Sequence, residues 1–221
     1  MNNYAVLFDM DGVIANTNPY HSQAFEHFFD KYQVPYTQAD FEQHMYGKHN
    51  SYIMSHFFNR PIHGKELEDL ENEKEGLFRE IYKTQVKPIT GLIAFLEQLH
   101  TNGYKLAVAT AAPKANMDLI VDALDIRKYM SSLLCSENVT KHKPDPEVYL
   151  KSAHVLGIPT DNCIVFEDSF SGVMAAKNAE MKVVGVLSSH SRTELPPCDF
   201  YIDDYRGLYM PTFGDLQILK G

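Results

Sequence analysis

The sequence predicts an α/β protein, a doubly wound parallel sheet with a helical domain inserted after its first strand. Three observations carry that prediction. A short apolar run ends in Asp9-Met10-Asp11-Gly12, the form of a buried strand running into a turn. Beyond Pro88, short apolar strands alternate with helices, which implies parallel strands joined by crossovers. Between these regions the apolar residues recur at helical spacing with no convincing strand. The expected division is a core of residues 1–15 and 88–221 around an inserted domain of residues 16–87, with hinges near 15–18 and 84–88.

The elements follow in order. Residues 4–14 form a strand and its turn. Asn18-Pro19 starts a helix, with Asn18 as the cap and Phe25, Phe28, Phe29 and Tyr32 on its apolar stripe. Thr37 caps a second helix that runs through Met45 and ends at Gly47; a third covers residues 52–58 before Pro61, and a charged fourth covers 65–83. After Pro88, Thr90 caps a helix carrying Leu92, Phe95, Leu96 and Leu99, which ends at Asn102-Gly103. Strands are expected at 106–109, near 133–135, and at 162–166, 183–186 and 200–202, with helices after Pro113, from Pro146 to Gly157 and over 171–179.

Composition narrows the function. The 44% apolar and 22% charged content is ordinary for a folded protein, and the net charge of −9 with no dense Lys/Arg cluster argues against nucleic acid or an anionic membrane as partner. Three widely spaced cysteines, Cys135, Cys163 and Cys198, read as free thiols in a reducing compartment. With no signal-like N-terminus and no run long enough to span a bilayer, the expectation is a cytoplasmic protein, a monomer or weak dimer.

The residues that end each core strand carry the chemistry. The first strand ends in Asp9 and Asp11, that of 106–109 in Thr110, the Cys135 region leads to Lys143-Pro-Asp-Pro, and 162–166 runs into Glu167-Asp168-Ser169. Each has a plain structural reading: an Asp-Gly turn, helix caps at Thr110 and Glu167-Asp168, and a solvated lysine at 143. Together they match a doubly wound sheet, whose strand carboxyl ends converge on one crevice. The chemistry suggested is phosphoryl transfer. Asp9 and Asp168 suit Mg2+, a hard ion with oxygen ligands, and Glu167 joins the expected metal set, directly or from the layer behind. Lys143, the Thr110 hydroxyl, the Met10–Asp11 backbone amides and the neighbouring Ala111 are expected to hold phosphate oxygens. Asp9 attacks phosphorus to give an aspartyl phosphate; Asp11 protonates the leaving oxygen and then activates the hydrolytic water.

Asp9-Met-Asp11-Gly-Val, Thr110, Lys143-Pro-Asp-Pro and Glu167-Asp168-Ser169-Phe-Ser-Gly resemble the four motifs of the haloacid dehalogenase superfamily over essentially the whole chain. The resemblance implies a Rossmann-like core with an inserted α-helical cap domain, Mg2+ as cofactor and the backbone carbonyl of Asp11 as a further metal ligand. Having Asp11 makes the chain look like the phosphotransferase branch, since the dehalogenases lack that second aspartate. Asp11-Gly-Val-Ile-Ala-Asn-Thr17-Asn-Pro-Tyr-His21 and the Gly47 loop are similar to β-phosphoglucomutase-like proteins, which implies substrate-side roles for Thr17 and His21. The mutase's phosphate-gripping arginine falls at Asn50 and its lysine at Tyr46, leaving Lys48 as the candidate substitute. That departure favours a phosphatase of small phosphorylated metabolites, such as sugar phosphates, over a mutase. An inorganic pyrophosphatase stands further off. So does a receiver-type phospho-switch, which shares the Asp, Thr and Lys but has no inserted domain. His44, His49, His56 and His63 lack the ordered spacing of a zinc site.

Overall fold

The computed structural model describes residues 3–45, 50–210 and 217–218. The chain divides into two compact units, Met1–Asn16 with Val86–Gly221, and Thr17–Gln85. In chain order the elements are β1 (Ala5–Phe8), α1 (Asn18–Lys31), α2 (Gln38–His44), α3 (Asn50–Phe57), α4 (Gly64–Tyr82), α5 (Leu92–Thr101), β2 (Lys105–Ala109) and α6 (Lys114–Ala123). They continue with β3 (Met130–Leu134), α7 (Glu147–Leu156), β4 (Cys163–Glu167), α8 (Phe170–Asn178), β5 (Lys182–Val186), β6 (Phe200–Ile202), β7 (Leu208–Tyr209) and β8 (Gln217–Ile218).

The first unit is a six-stranded sheet in the order β3-β2-β1-β4-β5-β6. All five pairings are parallel. It is the α/β, Rossmann-like fold, and its order reverses beside β1, where β2 and β4 flank the first strand. β1 is wholly buried because both faces of a parallel sheet are covered, so its sequence is a continuous apolar run with no alternation. Within it the strand's period of two still sorts the side chains. Ala5 and Leu7 join Val148, Tyr149 and Val173 on the α7 and α8 face. Phe8 turns the other way, stacked on Phe166 at 5.1 Å and edge-on to Phe95 at 6.5 Å. Tyr205 closes this aromatic group, with its hydroxyl donating to the Val13 carbonyl at 3.1 Å.

The second unit is helical and has its own core of Phe25, Phe28, Phe29, Phe41, Ile53, Met54 and Phe57. Five phenylalanines in one small core explain the aromatic stripe on the first inserted helix. Among the described residues no helix is long and apolar enough to cross a membrane.

Several boundaries differ from the sequence reading, each for a local reason. α1 starts one residue early: Thr17 occupies the cap position and Asn18 is already helical. Gly91, in the left-handed region at φ 84°, precedes α5, so Thr90 does not cap it. α8 begins at Phe170 because Ser169 accepts from the Gly172 amide at 3.0 Å and caps the helix two residues before the expected start. The Gly47 turn lies outside the described residues. The aromatic group sets the stability of the core: Phe95→Ala is expected to cost about 3–5 kcal/mol in urea unfolding, the usual loss for a fully buried ring.

Candidate active site

The site forms at the carboxyl ends of β1, β2 and β4. Parallel register sets Phe8 beside both Val108 and Phe166, so the residues that follow these strands emerge side by side. Asp9 continues the ladder, donating its amide to the Phe166 carbonyl at 3.0 Å. Beyond it the chain coils back: the Ile14 amide donates to the Met10 carbonyl at 2.8 Å and the Gly12 amide to Ala15 at 2.8 Å. Gly12 sits at φ 71°, and a Cβ there would fall inside the Asp168 carboxylate; the Asp-Gly sequence is required by close approach as well as by the turn. Thr110 follows β2, buried, with its hydroxyl accepting from the Ala112 amide at 3.0 Å. Ala111 lines a recess with Thr110, His142 and Lys143.

Lys143 holds the centre. It is 5% exposed, and its Nζ donates to Asp9 Oδ1 at 2.6 Å and Glu167 Oε1 at 2.7 Å. The Tyr149 ring lies beneath it, 4.8 Å from the ring centroid, and the Tyr149 hydroxyl donates to Glu167 Oε1 at 2.8 Å. Glu167 is fully buried, and its second oxygen accepts from the Asp168 amide, the Ser169 amide and the Ser169 hydroxyl at 2.9, 3.1 and 3.0 Å. Five donors therefore converge on one carboxylate. Gly172 lets α8 approach it, since a Cβ there would overlap the Glu167 carboxyl.

Burial pushes Asp9 up to about 8; Lys143 opposes this, while Glu167 and Asp11 add repulsion. Burial also raises Asp168 well above the ordinary carboxylate range, with Glu167 and Asp9 pushing the same way. For Lys143 burial favours the neutral amine, but the Asp9 and Glu167 carboxylates outweigh it and hold the group well above its usual value.

Asp9, Glu167 and Asp168 offer oxygens within 4.8 Å of one another, all buried. One lysine leaves this trio with uncompensated negative charge, which adds to burial in raising Asp9 and Asp168. An all-oxygen donor set of that charge fits a hard divalent cation. The Asp11 carboxylate is outside the trio.

The remaining sequence candidates lie elsewhere. Thr17 is buried at the start of α1, and His21 lies one turn on, its ring stacked on Phe78 at 3.8 Å. Lys48 lies outside the described residues. Sequence reading missed the partners of His21. Lys74 Nζ approaches its Nδ1 at 2.8 Å and donates to Glu75 Oε1 at 2.8 Å, and Asn50 donates to the same oxygen at 2.9 Å. Lys74 and Glu75 are 2% and 5% exposed, a buried pair within the helix that the sequence marked only as charged. Tyr149 was also missed, as was the Ser188-Ser189-His190 loop after β5. The loop could have been found by applying to β5 the strand-end argument that selected Thr110 and Glu167.

Comparison with known proteins agrees with this geometry. The family model described as Haloacid dehalogenase-like hydrolase matches residues 6–186. A phosphorylated carbohydrates phosphatase of Thermotoga maritima is 33% identical over 192 residues, 84% of this chain and 86% of that protein. A crystal structure of a HAD hydrolase, family IA, variant 3, from Entamoeba histolytica superposes with a TM-score of 0.86 at 25% identity, covering 91% of this chain and 93% of that one. CbbY from Rhodobacter sphaeroides, crystallised with phosphate, shares the fold with a TM-score of 0.80 at 22% identity, covering 91% and 94%.

The Lys74–Glu75 pair makes a measurable prediction. Burial raises Glu75, but Lys74, His21 and the Asn50 hydrogen bond lower it further, to a net value of about 2 against an ordinary 4.5. A depressed folded value stabilises the fold fully above the unfolded value and is lost as pH falls through the folded one. Glu75→Gln should cost about 3–5 kcal/mol in denaturant unfolding near pH 7, because Lys74 loses its partner. The variant should also lack this part of the wild type's loss of stability between about pH 5 and 2.

Proposed function

Because this chain belongs to the haloacid dehalogenase-like hydrolases and is an enzyme of the phosphatase or phosphotransferase type, we propose that it is a Mg2+-dependent phosphatase of a small sugar phosphate. The reaction runs through an aspartyl phosphate on Asp9. The observation that carries this reading is Lys143 bridging Asp9 and Glu167, with Asp168 beside them, at adjacent strand ends. Asp9 and Asp168 would hold the Mg2+, which offsets the repulsion between these carboxylates and an arriving phosphate. The five donors on Glu167 suit it to fixing Lys143 and the Asp168 backbone rather than to direct ligation.

The residues divide the work. Asp9 attacks phosphorus as the bond to the leaving oxygen breaks, and Asp11 delivers its proton to that oxygen. Asp11, now a carboxylate, takes a proton from the water that attacks the aspartyl phosphate, so phosphate is released and Asp9 regenerated. Lys143 and Thr110 hold phosphoryl oxygens, where the transition-state charge resides. Hydrolysis is favoured over mutase chemistry by the second unit. Asn50, where the mutase's arginine falls, is engaged with Glu75, and the charge of Lys74 is matched by the same carboxylate. A second phosphate would find little free positive charge on these residues. The similarity to the Thermotoga phosphatase supports a phosphorylated carbohydrate as substrate.

Phosphate release from p-nitrophenyl phosphate should require Mg2+ and disappear in Asp9→Asn. Asp11→Asn should slow turnover of a poor leaving group by about 10²–10⁴-fold. A panel of sugar phosphates including β-glucose 1-phosphate, with pyrophosphate alongside, then identifies the substrate. Conversion of β-glucose 1-phosphate to glucose 6-phosphate without phosphate release would overturn the phosphatase reading.

A further inference from the structure

Among the described residues, the loop after β5 is a strand end near the site that the proposed chemistry leaves without a role. It is anchored to the sheet: the Leu187 amide donates to the Ile202 carbonyl at 2.8 Å, continuing the β5–β6 ladder. The next three side chains all reach back towards the site. Ser188 Oγ donates to the Gly12 carbonyl, and Ser189 Oγ donates to Asp168 Oδ2. His190 Nδ1 lies 2.9 Å from the Asp168 carbonyl, so the ring donates there, and 3.0 Å from Ser189 Oγ. One short loop thus grips the two segments that face each other across Gly12, the Asp9–Asp11 turn and Asp168.

We propose that Ser189 is a positioning residue for the cation-binding carboxylate of Asp168, with Ser188 and His190 fixing the loop that presents it. This rests on the Mg2+ reading above. The torsion that turns a carboxylate about its own axis is soft, so an unsupported Asp168 would present a rotating donor. Gly12 packs against one side of the Asp168 carboxyl and Ser189 ties Oδ2, leaving one plane for the group and the lone pairs of Oδ1 for a ligand. Hydrogen bonds that orient a metal-binding side chain in this way commonly govern affinity as strongly as the ligand itself. Ser189 is exposed and outside the apolar cores, so its contribution falls on the carboxylate rather than on packing.

The test is calorimetric titration of the full chain with Mg2+ in the absence of substrate, for wild type, Ser189→Ala and Ser189→Thr. Ser189→Ala should weaken Mg2+ binding about 10- to 100-fold. Its unfolding midpoint in EDTA should match wild type, and its kcat at saturating Mg2+ should stay within about threefold. Ser189→Thr keeps the hydroxyl and should keep the affinity. Ser189→Ala binding Mg2+ as tightly as wild type would overturn the inference, as would a loss in Ser189→Thr equal to that in Ser189→Ala. A wild-type chain that binds no Mg2+ would overturn the metal reading and this inference with it, an outcome distinguished by the wild-type titration alone.

Discussion

Lys143 is a cation almost removed from water, and the arrangement of the first unit can be read as what makes that tolerable. A buried ammonium is costly unless carboxylates and hydrogen bonds replace its hydration. Asp9 and Glu167 do so because β1 and β4 are neighbours in parallel register, which sets the residues after Phe8 and Phe166 side by side. Tyr149, on α7, supplies a ring face below the amine and a hydroxyl to Glu167. Ser169, at the head of α8, then closes the opposite side of Glu167 while also capping its own helix. The same side chains are therefore structural and chemical at once. The charge they leave over, at Asp9 and Asp168, is the feature that a divalent cation would exploit.

The second unit solves a similar problem with the opposite outcome. Lys74 is buried against Glu75, over the Phe25 ring at 4.3 Å and beside His21, so its charge is largely spent within the helical unit. Around Lys143 two carboxylates share one lysine; Lys74, among the described residues, is ion-paired with Glu75 alone. That contrast separates a site prepared for an incoming anion and cation from a polar cluster whose work is to fix helices α1, α3 and α4 against one another.

The local signals were strong wherever one residue type has one physical explanation. The unbroken apolar run of β1 indicated burial on both faces, and the alternation of strands and helices beyond Pro88 indicated the parallel sheet. Boundaries were less legible because capping is a contest between neighbours: Ser169 caps α8, which starts at Phe170 rather than at Ser171, and Thr17 rather than Asn18 precedes α1, with Asn18 and Pro19 both helical. Glu75 was illegible for another reason. In a helix reading Glu-Asn-Glu-Lys-Glu, nothing local separates a solvated carboxylate from one buried against Lys74.

By itself the sequence determined the fold class and placed an acid, a hydroxyl or a lysine at successive strand ends, because strand burial and residue chemistry are properties of short segments. Only the tertiary structure decided that Lys143 meets Asp9 across 134 positions of chain, that Glu167 is saturated by five donors, and that Ser189 reaches Asp168. Those contacts depend on sheet order and register, which arise from how distant segments pack and so are carried by no one segment alone.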